Sequence, residues 1–545
     1  MDAEPRIEIK AWYLGNTTVR EAQRLRAGLS VLAGSPLNGN LEGRQRERDF
    51  ALLLNEAEVV RIDRDITDLT EDITDLGRKW RGALMKLGFI TADSKCLTEN
   101  KLKGLEPYSV TENGRRLIAS ESLPAQQECF LRSLIALRVP SPVEDFPART
   151  PFSPLHIVLS VLVKLAQAGV DASVSKLEMA GVVQLVTSLS DVPRAIERIL
   201  QFREQIRTAE RAAQPKRAVG EVCRAFLEAA DATQSTATLG DYADSNFRYL
   251  RLTGLFKQEK NRLGLASHRR PLIDAIVAQP IEPLSADIYL RQLWKGAELP
   301  TDNREIAIAE TRELARTLQA AGVQVELPAN LEQLNAADIH RVLHDLEERL
   351  LRTNERQYAE AQGQQWENIV EYLDGLVEGR RPVPPKEAPA YFEWAIWRAF
   401  LAINSLVSKP WECRKFQVYQ GPPPFESFLP VGCARSGGPD LVFEFETFVL
   451  VVEVTLTSSS RQEASEGEPV RRHVASYADS FPNKPVYGLF IALTVDSNTA
   501  ETFRSAKWFR PDDTEVYLRI VPLTLQQFTN LFKIAFARTG SWITD

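Results

Sequence analysis

Apolar residues change their spacing several times along this chain, and each change predicts a change of element. Up to RKWRGALMKLGFI they recur three and four apart, as on one face of a helix, and that spacing stops at Gly88. Phe89-Ile90 and Tyr108-Ser109-Val110 then predict a short strand pair around a polar loop, with Thr111 as the N-cap of a helix holding Gly114 and Leu117. Helices are expected between 153 and 212. At 240 to 280, FRYLRLTGLFKQEKNRLGLASHRRPLIDAIV carries two short apolar strands around a basic turn. From about 281 to 380, runs such as LEERLLRTNERQYAEAQGQQWENIVEYLDGLVEG predict amphipathic helices. GRRPVPPKEAPA, whose prolines fit neither helix interior nor central strand, predicts a linker. Beyond it helix and strand alternate. AYFEWAIWRAFLAINSL is a helix, DLVFEFETFVLVVEVTLT two strands, EPVRRHVASYADSF a helix started by Pro469, and PVYGLFIALTV a buried strand, together an α/β domain with a mixed sheet.

The 545 residues exceed what one hydrophobic core organises, so several domains are expected. The pattern divides them at 1–140, 141–280, 281–385 and 386–545, mainly α with a final α/β domain. No apolar run is long enough to span a bilayer, and the start MDAEPRIEIK lacks a signal-peptide layout, so a cytoplasmic protein without a membrane partner is expected. Cys96, Cys129, Cys223, Cys413 and Cys433 are scattered, as buried free thiols are. The net charge of −7 disfavours a nucleic-acid partner over the whole surface but permits a local basic face. Basic clusters stand at Arg20, Arg24, Arg26, Arg44, Arg46 and Arg48, at Arg78, Lys79 and Arg81, and at Lys257, Lys260, Arg262, His268, Arg269 and Arg270. Each alone is more simply a solvated face. Two accompany the strand-wing-helix patterns at 51–120 and 240–280, which predict winged helices, a DNA-reading variant of helix-turn-helix. His340 and His344 lie four apart on one helix face, a spacing that could hold a metal. No third ligand accompanies them in the sequence, so they read as surface or packing histidines.

The string GGPDLVFEFETFVLVVEVTLT carries the chemistry. A turn centred on Glu446 and Thr447, with Phe445 facing Phe448, brings Asp440 opposite Glu453, their Cβ atoms about 4.5–5.5 Å apart. Facing carboxylates in an apolar hairpin repel unless a proton or cation is shared. Mg²⁺, with Mn²⁺ able to substitute, takes one or two carboxylates plus phosphate oxygens and water, the site a phosphodiester hydrolase needs. Thr455 lies on the same strand face as Glu453.

Pro439-Asp440 and Glu453-Val454-Thr455 resemble the PD-(D/E)xK nuclease core, with Thr455 standing where that pattern has lysine. The Glu-Val-Thr variant followed by SRQEASEGEPVRRHV, with the N-terminal WYLGNTTVREAQRLRAGL, resembles the AlwI, PleI and MlyI group of type IIS restriction and site-specific nicking endonucleases. The resemblance implies a site of Asp440, Glu453, Glu466 and His473, with the Val454 carbonyl as a further metal ligand and Glu393 as an added acid from the preceding helix. Glu466 is expected ahead of the His473 helix, where Glu468 could be confused with it. It also implies two recognition subdomains, a helical linker and a cleavage domain that leaves 5′-phosphate and 3′-hydroxyl ends. Double-stranded DNA is the expected partner, and one site cuts one strand, so a second copy or a small nuclease subunit would cut the other. The alternatives are a strand-specific nicking subunit and a non-catalytic DNA-binding protein whose core has decayed.

Overall fold

The computed structural model describes residues 9–19, 22–57, 59–60, 62, 71–148, 150–230, 232–259, 262–380, 382–383, 387–403, 406–418, 428–430, 432–434, 438–456, 462–510 and 512–539. Helices dominate, and two compact units form, Met1–Leu350 and Leu351–Asp545. The division falls inside the helix Ala336–Glu360.

In the first unit the helix Glu71–Lys86 stops where the apolar spacing stops. Gly88 sits at φ +72°, and a Cβ there would meet the Leu293 carbonyl oxygen at 2.5 Å, so glycine is required for both conformation and space. The expected strand pair is a single bridge between Ile90 and Val110. The Thr111 hydroxyl caps the next helix by accepting from the Gly114 N–H at 3.1 Å. The expected polar loop contains a helix, Ser94–Glu99, too short to show a period and started by Asp93, which accepts from the Cys96 N–H at 2.7 Å.

Further on, Ser173–Ser175 (β1), Phe256–Glu259 (β2) and Arg262–Leu265 (β3) form an antiparallel sheet in the order β1-β3-β2. The helix Thr236–Arg251 precedes β2, and Arg270–Ala278 follows β3. The tip of the hairpin, with Lys260, lies outside the described residues. Its basic cluster is not one solvated face. Arg262 turns inward to Ser173, Asp171 and Glu178. Arg269 is buried between Glu310 and Glu347, and burial pushes the His268 imidazole down to about 3. Arg24 and Arg26 likewise donate to the backbone carbonyls of Val59 and of Leu117 and Ile118. A guanidinium that satisfies buried acceptors is part of the scaffold.

In the second unit Leu441–Glu444 (β4), Val449–Thr455 (β5), Val486–Ala492 (β6) and Ile520–Thr524 (β9) form a mixed sheet in the order β4-β5-β6-β9. Lys507–Phe509 (β7) and Glu515–Tyr517 (β8) make a separate hairpin. β4 and β5 are antiparallel, while β5–β6 and β6–β9 are parallel. Leu441, Phe443 and Val452 face a core shared with the helices Ala388–Leu401 and Leu525–Thr539. Val451 and Phe490 face the opposite way, onto Val470 and Val474 of the helix Gln462–Ser480. Within the proline-rich stretch Val383 is buried with Leu373 and Leu376, so that residue is a core position of this unit. Among the described residues no helix is long and apolar enough to cross a membrane.

Candidate active site

The hairpin register decides what its side chains meet. Leu441 pairs with Val452, Val442 with Val451, Phe443 with Leu450 and Glu444 with Val449. The Phe445 N–H donates to the Phe448 carbonyl at 2.9 Å, so the turn is centred on Glu446 and Thr447. One step beyond β4 this register sets Asp440 against Glu453. Asp440 Oδ2 accepts the Val454 N–H at 2.8 Å. A strand residue directs its N–H and its carbonyl to the same edge, so the Val454 carbonyl points to the Asp440 side as well. The residue facing Val454 in this register is Pro439, which has no N–H to give that carbonyl.

Alternation along β5 puts Val451, Glu453 and Thr455 on one face. That face lies against the helix Gln462–Ser480, which presents Glu466, Val470, His473 and Val474 at helical spacing. Glu466 therefore lies inside the helix and not ahead of it, because Pro469 is an interior residue rather than the first one. His473 Nδ1 is 2.5 Å from Glu453 Oε1. The Thr455 hydroxyl donates to Glu466 Oε1 at 3.2 Å. Glu468 is exposed and pairs with Arg472 at 3.1 Å, which separates it from Glu466. Arg471 donates to the Gly467 carbonyl at 2.9 Å.

Four of the five side chains expected from the sequence thus converge. The fifth, Glu393, is buried on the helix Ala388–Leu401 and accepts the Ala434 N–H at 2.6 Å, holding the segment that leads into Asp440. What the sequence did not reveal is the hydrogen bond between Thr455 and Glu466, which requires the helix to begin at Gln462.

The electrostatics follow first from burial and then from crowding like charges. Asp440 is held well above the usual carboxylate range, first by burial and then by the charge of Glu453, with the Val454 amide opposing. Burial pushes Glu453 up to about 8, with Glu466 adding to the rise and the Asp440 backbone amide opposing it. His473 is pulled down by burial and by Arg472. Without a cation these shifts favour a protonated Glu453 beside a neutral imidazole, with one proton shared between Glu453 Oε1 and His473 Nδ1. Asp440, Glu453 and the outward Val454 carbonyl form an all-oxygen donor set whose protons a hard divalent cation would displace, so they fit such an ion. Nearby Glu466 and His473 can accept a proton from water.

The family model described as AlwI restriction endonuclease matches residues 85–531, a span that contains all of these side chains. Among solved structures, the chain is similar to the small subunit (R.BspD6I2) of the heterodimeric restriction endonuclease R.BspD6I. The identity is 25%, covering 33% of this chain and 82% of that one, with a TM-score of 0.26. It is also similar to the BpuJ1 endonuclease binding domain, in complex with pyrene- and phenanthrene-modified DNA. There the identity is 14%, over 54% of this chain and 99% of that one, with a TM-score of 0.35. At TM-scores this low neither likeness carries weight. No curated protein matches the chain.

Proposed function

The chain belongs to the AlwI restriction endonuclease family, and from that premise we propose that it is a type IIS enzyme, hydrolysing one phosphodiester bond at a fixed distance from a short asymmetric DNA site. The observation that carries the reading is the pairing of Asp440 with Glu453 at the end of an apolar hairpin, with Glu466 and His473 delivered to the same face by one helix.

Asp440, Glu453 and the Val454 carbonyl would hold Mg²⁺, or Mn²⁺ in its place. Such an ion lowers the pKa of a bound water and stabilises charge on the scissile phosphate. With Glu453 ionised, His473 donates from Nδ1 to Glu453 Oε1, and Nε2 becomes the basic nitrogen of the ring. That nitrogen is buried and has no hydrogen-bond partner among the described residues. His473 then takes the proton of the attacking water, and Glu466, held by Thr455, orients that water. Thr455 replaces the lysine of the PD-(D/E)xK pattern by fixing a carboxylate in place rather than by supplying a charge.

The N-terminal segments, read as winged helices, would recognise the DNA site. One such centre cuts one strand, so a second copy or a small nuclease subunit would cut the other; without it the chain is a strand-specific nicking subunit. A decayed, purely DNA-binding core is the second reading, favoured only by Thr455 in the lysine position. Plasmid DNA treated with the pure protein in Mg²⁺ or excess EDTA, then read by run-off sequencing, tests this directly. The expected result is termination at fixed positions on one or both strands in Mg²⁺ and intact DNA in EDTA. Intact DNA in both would establish the decayed core.

A further inference from the structure

Far from the cleavage residues in sequence, and wholly within Met1–Leu350, a second carboxylate–histidine cluster is assembled. Glu128, on the helix Leu123–Ala136, meets His340 and His344, on the helix Ala336–Glu360, although His340 is 212 positions away in the chain. The three residues each offer a ligand atom within 4.8 Å of the others. Glu128 Oε2 lies 3.3 Å from His340 Nδ1 and 2.9 Å from His344 Nε2. All three are only partly exposed, with side-chain exposures of 15%, 13% and 24% in that order.

The tautomer of His340 is fixed by its other side. Nε2 is 2.9 Å from the Thr301 carbonyl, which can only accept, so Nε2 carries the proton. In the neutral ring Nδ1 is then a lone pair aimed at a carboxylate oxygen, a contact that is relieved by a shared metal cation or by a proton, and the hydrogen bond to Glu128 does raise the His340 imidazole. A metal-bound histidine characteristically gives its second N–H to a backbone carbonyl in this way. Glu128 Oε1 is engaged by Arg132 Nε at 2.7 Å, so Oε2 is the oxygen left to meet both rings.

The surrounding charge points the same way. Arg132 also pairs with Asp302 at 2.6 Å, and Arg269 pairs with Glu310 at 2.7 Å and with Glu347. The acids Glu128, Asp302, Glu310 and Glu347 thus outnumber the guanidiniums of Arg132 and Arg269 by two when both imidazoles are neutral. Burial pushes Glu347 up against the opposing charges of Arg269 and His344, with Glu310 and Glu128 adding to the rise. Neither Glu310 Oε2 nor Glu347 Oε2 has a hydrogen-bond partner among the described residues. One divalent cation at the Glu128–His340–His344 focus balances both missing charges and joins the facing lone pairs.

We propose that Glu128, His340 and His344 form a site for a borderline divalent metal of the Zn²⁺ class, separate from the cleavage centre. Two imidazole nitrogens and one carboxylate oxygen select such an ion over Mg²⁺. Ligands about 2.0–2.1 Å from Zn²⁺ at the tetrahedral angle lie roughly 3.3 Å apart, close to the His340–Glu128 separation. The ion would clamp the helix Ala336–Glu360 to the helix Leu123–Ala136 and serve the scaffold, whatever the fate of the cleavage reading.

The test uses the full chain carrying Asp440→Asn and Glu453→Gln, so that the cleavage centre contributes no metal binding. Zn²⁺ is titrated after chelator treatment, and Co²⁺ is used as an absorbance probe of low-coordinate nitrogen ligation. The expected result is one equivalent of Zn²⁺, a raised melting temperature in Zn²⁺ but not in Mg²⁺, and intense visible Co²⁺ bands. Adding His344→Gln should weaken Zn²⁺ by at least about a hundredfold, more than an outer-shell loss does, and abolish the bands. Because His344 is the most exposed of the three, this variant should keep its fold by circular dichroism; His340→Gln is a second route to the same result. No Zn²⁺ uptake by the folded parent would overturn the proposal, leaving two protonated imidazoles as the counter-charge. Uptake unchanged by both histidine substitutions would overturn it equally.

Discussion

Glu453 and Glu128 are both half-buried carboxylates in contact with an imidazole nitrogen, yet they are driven in opposite directions. Glu453 is pushed up to about 8, whereas Glu128 is held well below the usual range. Burial opposes ionisation in both, so burial does not decide. Glu453 has Asp440 and Glu466 for company, and the cations on the helix Gln462–Ser480 that packs against its strand are engaged elsewhere, Arg472 with Glu468 and Arg471 with Gly467. Glu128 has His340, His344 and Arg132 against it, and these outweigh its desolvation. The first arrangement favours carboxyls that hold their protons until a cation displaces them, and the second favours an ionised carboxylate.

The largest expected effect separates the two at once. Asp440→Asn or Glu453→Gln should lower the single-turnover cleavage rate by at least about 10³-fold, while binding of the DNA site changes little. The double variant should be no slower than either single one, since the two carboxylates act as one site. Glu128→Gln should leave the rate per folded molecule near wild type, and a comparable rate loss there would erase the distinction. Next in size, His473→Gln should slow cleavage by roughly 10²-fold and remove the acidic limb of its pH–rate profile. An unchanged acidic limb would assign that proton to another group.

Stability should diverge in the same sense. In chelator, Glu128→Gln should cost roughly 1–3 kcal/mol by urea unfolding at neutral pH, since it takes the shared carboxylate from His340 and His344 and leaves Arg132 with Asp302 alone. The carboxyl of Glu128 is depressed in the folded state, so its contribution is present above its ordinary value of 4.5 and lost as pH falls below that. For Glu453 the sign reverses. Its folded value is raised, so its contribution is complete below 4.5 and disappears as pH rises through about 8. Metal-free protein should therefore melt lower as pH climbs through that window, and Glu453→Gln should flatten the decline. The smallest effect is expected from Arg472→Ala. Removing that cation lets the His473 value rise, so the acidic limb of the cleavage profile should move to higher pH.

How much of this was legible depended on how local the causes were. The hairpin register could be read because a two-residue alternation and a single turn fix it. The face of Glu453 and Thr455 followed from the same alternation. Glu466 was misplaced because Pro469 looks like a helix start, and nothing local reveals that the helix begins at Gln462. Arg262 and Arg269 looked like part of a basic surface because their partners, Glu178 for one and Glu310 and Glu347 for the other, lie far off in the chain. The partner of His340 and His344 was unreadable for the same reason. A lone pair of histidines on a helix says nothing of a carboxylate arriving from another helix. The expectation of winged helices lies between these cases. The capped helix after Thr111 and the antiparallel pairing of β2 with β3 are as expected, but the first strand pair is a single bridge.

The order of the β4-β5-β6-β9 sheet limits how a partner could extend it by strand addition. β4 and β9 are its outer strands, and strand addition needs a row of outward N–H and carbonyl groups. Along β4 that row is already engaged by bridges from Leu406 and Arg414. Along β9 the Gly488 N–H to Arg519 carbonyl bond, 2.8 Å, sets the phase, so Ile520, Pro522 and Thr524 direct their backbone outward. Pro522 has no N–H, and the Thr524 N–H is taken by Gln527 at 2.8 Å. Among the described residues neither margin of the sheet offers an unbroken row of N–H groups, so the second cleavage domain proposed above would dock mainly through side chains, where single substitutions could tune its affinity without touching the Asp440–Glu453 pair.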